Sequence, residues 1–266
     1  MQHPSFLMCP PTFFQCDYVI NPWMNGNVGN VDASLASIQW QALHDVLSDL
    51  ANISLIEPKN GSPDLVFTAN AGLVVGQSAV VAKFAKKQRA AEEPIFREWF
   101  AKNNYSLTTP NLRSFEFEGA GDCLEDAFGH MWIGFGQRTN FKSAYAVANL
   151  FPNKFWHFLK LKNPKWYHLD TCFCPLSNGY CLYNPDAFDN LSEFKQMGHM
   201  AIPVSDEDAE HFACNAICIN NMIIANFMSD SLAHKLSNLG FNIVLLPLTE
   251  FIKAGGSAKC LTLRIS

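Results

Sequence analysis

Cys260 follows two glycines and two small residues in Gly255-Gly256-Ser257-Ala258-Lys259-Cys260, and the apolar run Leu261-Thr262-Leu263 comes after it. Glycines reach backbone angles closed to other residues and let a ligand come close to the chain. A thiol after such a loop, at the mouth of a strand, reads as presented rather than packed. Its chemistry would be nucleophilic, because a thiolate attacks and a nearby imidazole or cation lowers its pKa. His168, in Tyr167-His168-Leu169-Asp170-Thr171-Cys172, is the expected partner and can move protons as general acid and base. Glu118, in Phe117-Glu118-Gly119-Ala120-Gly121-Asp122, would orient the imidazole. Asp170, two residues beyond His168, would face the same way on an extended strand. Acids beside a thiol suit a cationic, planar, nitrogen-rich group such as guanidinium, held through paired hydrogen bonds.

These residues belong to four polar clusters at 64–72, 117–122, 168–172 and 255–260. Any one alone reads equally as a turn, since Gly, Asn and Asp are turn formers. Four at similar places in a repeat favour one shared cavity. A metal is the competing reading for the third, where His168, Cys172 and Cys174 are ligand types. The apolar run around those cysteines and the lack of a second pair at zinc spacing weigh against it. Arg138 lies in a glycine-bearing turn, 134–139, and Arg89 follows the basic stretch 86–88. Arginine suits bidentate carboxylate recognition, and a solvated surface charge is the alternative, chiefly for Arg89.

Elements that would position these groups alternate along the chain. Helical spacing is clearest over 31–50, where Leu35, Ile38, Ala42, Val46 and Leu50 recur behind a capping Asp32. Further helices are expected at 92–102, 142–150, 185–197, 206–212 and 229–239, the last stopped by Gly240. Strand-length runs fall at 65–67, 72–75, 79–82, 115–117, 131–134, 179–183, 216–219, 222–225 and 241–245. The unit is a hairpin-like strand pair plus one helix, recurring about every fifty residues. Alternating strands and helices usually build an open parallel sheet, whereas hairpins within the repeat favour blades around a centre.

The chain of 266 residues is 48% hydrophobic and 16% charged, a globular profile, and no Pro/Ser-rich linker divides it, so one domain over 1–266 is expected. A net charge of −5 without a basic run argues against nucleic acid. No apolar segment approaches the roughly 18–20 residues of a membrane span. The first ten residues lack a leader's basic start and apolar stretch, so a cytoplasmic protein with nine largely core cysteines is expected. No glycine-rich nucleotide loop is present, and neither cofactor nor metal is called for. The expected partner is a small-molecule substrate, with self-association into a homo-oligomer left open.

Together, 8–27, 63–74, 117–122, 134–138, 167–180, 212–215 and 248–264 resemble the guanidino-group modifying superfamily of arginine deiminases, dimethylarginine dimethylaminohydrolases and amidinotransferases. Within it the chain looks most like the arginine dihydrolase domain of cyanobacterial arginine-catabolic enzymes. The resemblance implies a five-bladed α/β propeller with a central site. It implies that Cys260 attacks the guanidinium carbon, that His168 protonates the departing ammonia and then activates water, and that Glu118 partners His168. Asp170 would hold guanidinium nitrogens, Arg138 and Arg89 the α-carboxylate, with Asp122 and Asn21 at substrate-contact positions. Asn70 stands where deiminases and dimethylarginine hydrolases carry aspartate. An amide both donates and accepts, so it can hold a neutral ureido group for a second attack. Stopping at citrulline is the alternative, followed by an amidinotransferase and an inactive arginine binder. The bifunctional relatives carry an ornithine-processing domain beyond the propeller, a step expected here of a separate protein.

Overall fold

The computed structural model describes residues 3–266, so Met1 and Gln2, which begin the segment read for a leader, lie outside the described residues. Its strands form five three-stranded sheets of one plan: an antiparallel pair, a helix, and a third strand parallel to the second. In the first complete repeat β3 (Gly72–Val75) pairs antiparallel with β4 (Ser78–Val81), and helix α2 (Glu92–Lys102) leads to β5 (Ser106–Leu107) beside β4. The next runs through β6 (Cys123–Glu125), β7 (Met131–Phe135), α3 (Phe141–Leu150) and β8 (Trp156–Lys160). A third uses β9 (Phe173–Pro175), β10 (Cys181–Tyr183), α4 (Ser192–Met197) and β11 (Ala201–Pro203). After the short helix α5 (Asp206–Glu210) come β12 (Ile217–Ile219), β13 (Met222–Ala225), α6 (Asp230–Asn238) and β14 (Asn242–Leu245).

The fifth sheet joins the two ends of the chain. Strand β1 (Ser5–Met8) lies parallel to β2 (Asn52–Leu55), which follows α1 (Ala33–Ser48). It is antiparallel to β15 (Leu263–Arg264), reached after the short helix α7 (Thr249–Ile252). That pairing closes five repeated modules, the bladed α/β arrangement expected from the hairpin repeat.

Local chemistry accounts for the helices. Asp32, Asn140 and Ser229 cap α1, α3 and α6 by accepting a backbone N–H three residues on. Gly240, at φ 89°, ends the α6 turn where an L side chain would be strained.

Several expectations are corrected. Residues 65–67 are not a strand: Leu65 and Val66 end a 3₁₀ turn, Pro63–Val66, and Phe67 links it to the next turn, Thr68–Ala71. Proline at its first position pre-sets that turn. The expected 185–197 helix is a 3₁₀ turn, Pro185–Ala187, and then α4. The apolar stripe assigned to α1 is its wrong face: Ile38 is 67% exposed, while Ala36, Gln39, Trp40, Leu43 and Leu47 are buried. Gln39 tolerates burial because its amide bonds Thr249 Oγ1 and the Glu250 N–H of α7.

Candidate active site

Each module delivers its functional side chain from the same place, the turn just before its first strand. Asn70 sits in the 3₁₀ turn Thr68–Ala71 ahead of β3, and Glu118 and Asp122 flank Gly119–Gly121 ahead of β6. His168 and Asp170 sit at Leu169–Thr171 ahead of β9. Asn215 precedes β12, and Cys260 precedes β15. A turn at a strand end frees side chains from the sheet's alternation, so all five converge. Asp170 reaches the site by this route, not by the strand parity expected.

Cys260 is 2% exposed, and the expectation of a presented thiol is overturned. Nor does a hydrogen bond join it to His168. Its sulfur lies 3.4 Å from Asp170 Oδ2 and accepts from Asn215 Nδ2 at 3.1 Å. Burial and the Asp170 charge push this thiol well above its ordinary pKa, while the Ser257 backbone and Asn215 act to lower it. Asp170 itself is raised by burial to about 7, with Lys259 opposing, and its Oδ1 is buried without a partner.

His168 donates from Nε2 to Glu118 Oε2 at 2.7 Å, leaving Nδ1 buried and unpartnered. A Cβ on Gly121 would overlap Asn70 Nδ2 and reach within 3.5 Å of His168 Nδ1, so glycine keeps that approach open. Burial opposes charge on Glu118, but Arg138 at 2.9 Å and His168 hold it well below the usual carboxylate range. Glu118 Oε1 accepts the Ala85 N–H, so the carboxylate is fixed at both oxygens.

A narrow pocket is walled by Asn21, Met24, Phe67, Tyr167 and Ala254, with Asn70, Arg89, Arg138 and Cys260 also on its lining. Asn70 Oδ1 accepts from Arg89 at 2.7 Å and its Nδ2 donates to the Glu118 carbonyl at 3.0 Å. Arg89 is 3% exposed, which removes the surface-charge reading. Its guanidinium is taken up by Glu92, Asn70 and the Asp64 carbonyl. Arg138 stacks on the Tyr167 ring at 4.7 Å and bonds Glu118 and the Ile20 carbonyl, leaving N–H groups free. Asn21 spends its amide on the Ala254 carbonyl and the turn it caps, and Asp122 takes Thr139 Oγ1 and the Leu169 N–H. Burial raises Asp122 to about 6. Both therefore shape the site's frame.

Two residues here belong to segments singled out in the sequence, 64–72 and 212–215, but were given no role there. Asp64 lines the pocket with Oδ2 on Tyr18 and Oδ1 buried and free. Asn215 stands in the turn before β12, and the repeat pattern that gave four clusters would have pointed to it before the 216–219 strand. Cys172 and Cys174 turn to backbone carbonyls, and among the described residues no three His, Cys, Asp or Glu side chains gather as metal ligands. Among those residues no helix is long and apolar enough to cross a membrane.

Five modules around converging turns define a pentein, the five-bladed α/β propeller. The model of the eukaryotic N,N dimethylarginine dimethylhydrolase family matches residues 25–266, and this chain belongs to that family. It is 46% identical to the bifunctional arginine dihydrolase/ornithine cyclodeaminase AgrE of Nostoc sp., over 98% of this chain and 38% of that protein. It therefore spans less than two fifths of that relative's length. It is 34% identical to the N(G),N(G)-dimethylarginine dimethylaminohydrolase of Mycobacterium tuberculosis, over 98% of this chain and 85% of that enzyme. The crystal structure of the N-terminal domain of ArgZ, a cyanobacterial arginine dihydrolase, superimposes with a TM-score of 0.95 at 44% identity, covering 99% of this chain and 98% of that one. That structure is a cysteine-to-serine variant bound to substrate, and an asparagine-to-serine variant of the same domain is covalently bound to a reaction intermediate.

Proposed function

We propose that this chain, as a single catalytic domain over 1–266, hydrolyses free arginine to ornithine, two ammonia and carbon dioxide through covalent intermediates on Cys260. The observation that carries this reading is an amide, Asn70, on the pocket lining and bonded to the backbone carbonyl of Glu118. The likeness to AgrE and to the ArgZ domain supports it.

The guanidinium enters between Asp170 and Cys260, and its charge favours ionised forms of both. Asp170 Oδ1 takes guanidinium N–H groups, Asp64 Oδ1 the α-ammonium, and the free N–H groups of Arg138 the α-carboxylate. Arg89, already satisfied by Glu92, serves more by holding Asn70 than by gripping substrate. The thiolate adds to the guanidinium carbon, and the C–N bond breaks as His168 Nδ1 protonates the departing ammonia. Glu118 stabilises the imidazolium throughout. His168 then takes a proton from water, which adds to the same carbon and expels the thiolate. A second cycle on the ureido carbon releases the second ammonia, and the thiocarbamate hydrolyses. Two waters are consumed, so arginine plus two water gives ornithine, two ammonia and carbon dioxide.

A second reading, dimethylarginine hydrolysis stopping at citrulline, is favoured by the family model and the Mycobacterium relative. Incubation with arginine and dimethylarginine separates them. Ornithine with two equivalents of ammonia is expected from arginine, and citrulline with one would sink the dihydrolase reading. The nine free cysteines favour a reducing compartment such as the cytoplasm.

A further inference from the structure

Asn215 has no part in the steps above, yet it grips the nucleophile from one side. It is wholly buried. Its Oδ1 accepts the Ser257 and Cys260 N–H groups at 3.1 Å each, and its own carbonyl accepts the Lys259 N–H at 3.1 Å. With the oxygen so committed, Nδ2 is turned the other way, onto the Asp170 carbonyl at 2.8 Å and Cys260 Sγ at 3.1 Å. The amide is thus oriented by the backbone of the nucleophile's own loop, and it presents the same N–H to sulfur whatever the sulfur's charge.

A neutral thiol is a weak acceptor and a thiolate a strong one, so this bond strengthens when the proton leaves. The charged groups facing the sulfur otherwise divide: Asp170 disfavours negative charge on it, while Lys259 favours it. We propose that Asn215 is a catalytic residue whose amide N–H stabilises the Cys260 thiolate, both as it forms with the cationic substrate bound and when sulfur is expelled from each covalent intermediate. In the expulsion the C–S bond breaks, its electron pair returns to sulfur, and Asn215 keeps its proton. The inference rests on Cys260 being the nucleophile.

The test compares wild type, Asn215→Ala and Asn215→Asp by the pH profile of Cys260 alkylation with iodoacetamide, mapped by mass, and by arginine kinetics. Alanine removes the donor without adding charge, and aspartate keeps an acceptor for the two backbone N–H groups. The alkylation midpoint should rise by about one pH unit or more and kcat should fall about 10- to 100-fold, with KM within about twofold. A variant of wild-type circular dichroism whose midpoint stays within about 0.3 unit and kcat within about threefold overturns the proposal. Should neither variant fold, asparagine side-chain nitrogens labelled in the wild type carry the test. One amide signal must follow the Cys260 titration and stand still in Cys260→Ser, and the lack of any such signal overturns the proposal. If Cys260→Ser turned over arginine at the wild-type rate, the nucleophile reading would fail first, and the role of Asn215 with it.

Discussion

At the residue scale, the chemistry turns on what stands at position 70. Asn70 gives its oxygen to Arg89 and one N–H to the Glu118 carbonyl, leaving the second N–H toward the site. An aspartate there would pair with Arg89 as an ion and offer substrate only acceptors. A guanidinium would still bind, whereas a neutral ureido group would lose its donor and be released. Asn70→Asp is therefore expected to convert the products from ornithine and two ammonia to citrulline and one, measured by chromatography and an ammonia assay. Ornithine as the main product of that variant would deny Asn70 the role. Glu118→Gln should lower kcat by about 10²-fold, since imidazolium stabilisation is a general acid–base contribution. KM should rise as well, because Glu118 Oε2 also holds Arg138, which lines the pocket.

At the element scale, the turns before the strands matter more than the strands. Gly255 has φ 88°, and a Cβ there would meet Asn21 Oδ1 and Tyr167 Oη at 2.9 Å. Gly255→Ala should cost about 1–3 kcal/mol in strain and displace the loop that carries Cys260. Removing the α1 cap with Asp32→Ala should cost about 1 kcal/mol. Melting curves should show both variants destabilised, but only Gly255→Ala should lose turnover, by tenfold or more on the order of a misplaced reacting group. Equal turnover in the two would mean that the loop's shape is immaterial. The helices were legible for the reasons these caps exist: α2 occupies the expected 92–102, and Gly240 stops α6. The stripe of α1 was misread because apolar residues lie on both faces and a hydrogen-bonded Gln39 takes a core position. Short strands such as β5, with two residues, carry too little pattern to read. Two of the five site turns, 117–122 and 255–260, announced themselves through glycine near a charged or reactive group, and 168–172 through a histidine and an aspartate two residues apart. Asn215, in Phe212-Ala213-Cys214-Asn215, has no such neighbour, and Asp64 reads as an ordinary turn former.

At the scale of the whole molecule, closing five modules around one point forces acids into a dry centre, and that arrangement has a pH signature. Asp170 is raised by burial from its ordinary 3.8 to about 7, and Asp122 to about 6. The unfolded chain releases both protons near pH 4, while the folded protein keeps them until pH 6–7. Between those limits the folded state binds more protons, so stability falls as pH rises, by up to about 1.4 kcal/mol per unit for each group. Glu118 behaves oppositely: held low by Arg138 and His168 against its burial, it contributes stability above its ordinary 4.5, lost as pH falls. Its effect is complete by about pH 5.5, so the decline from there to about 7 belongs to the raised acids. The melting temperature should therefore drop across that window, and Asp170→Asn should remove part of the slope, the buried Glu92, also raised to about 7, keeping another part. Arginine added to Cys260→Ser, where it stays unreacted, should do the same by placing a fixed cation beside Asp170. A slope in Asp170→Asn equal to wild type would show that the central acids do not govern the decline, and that the charge of the incoming substrate is not what the closed ring of turns awaits.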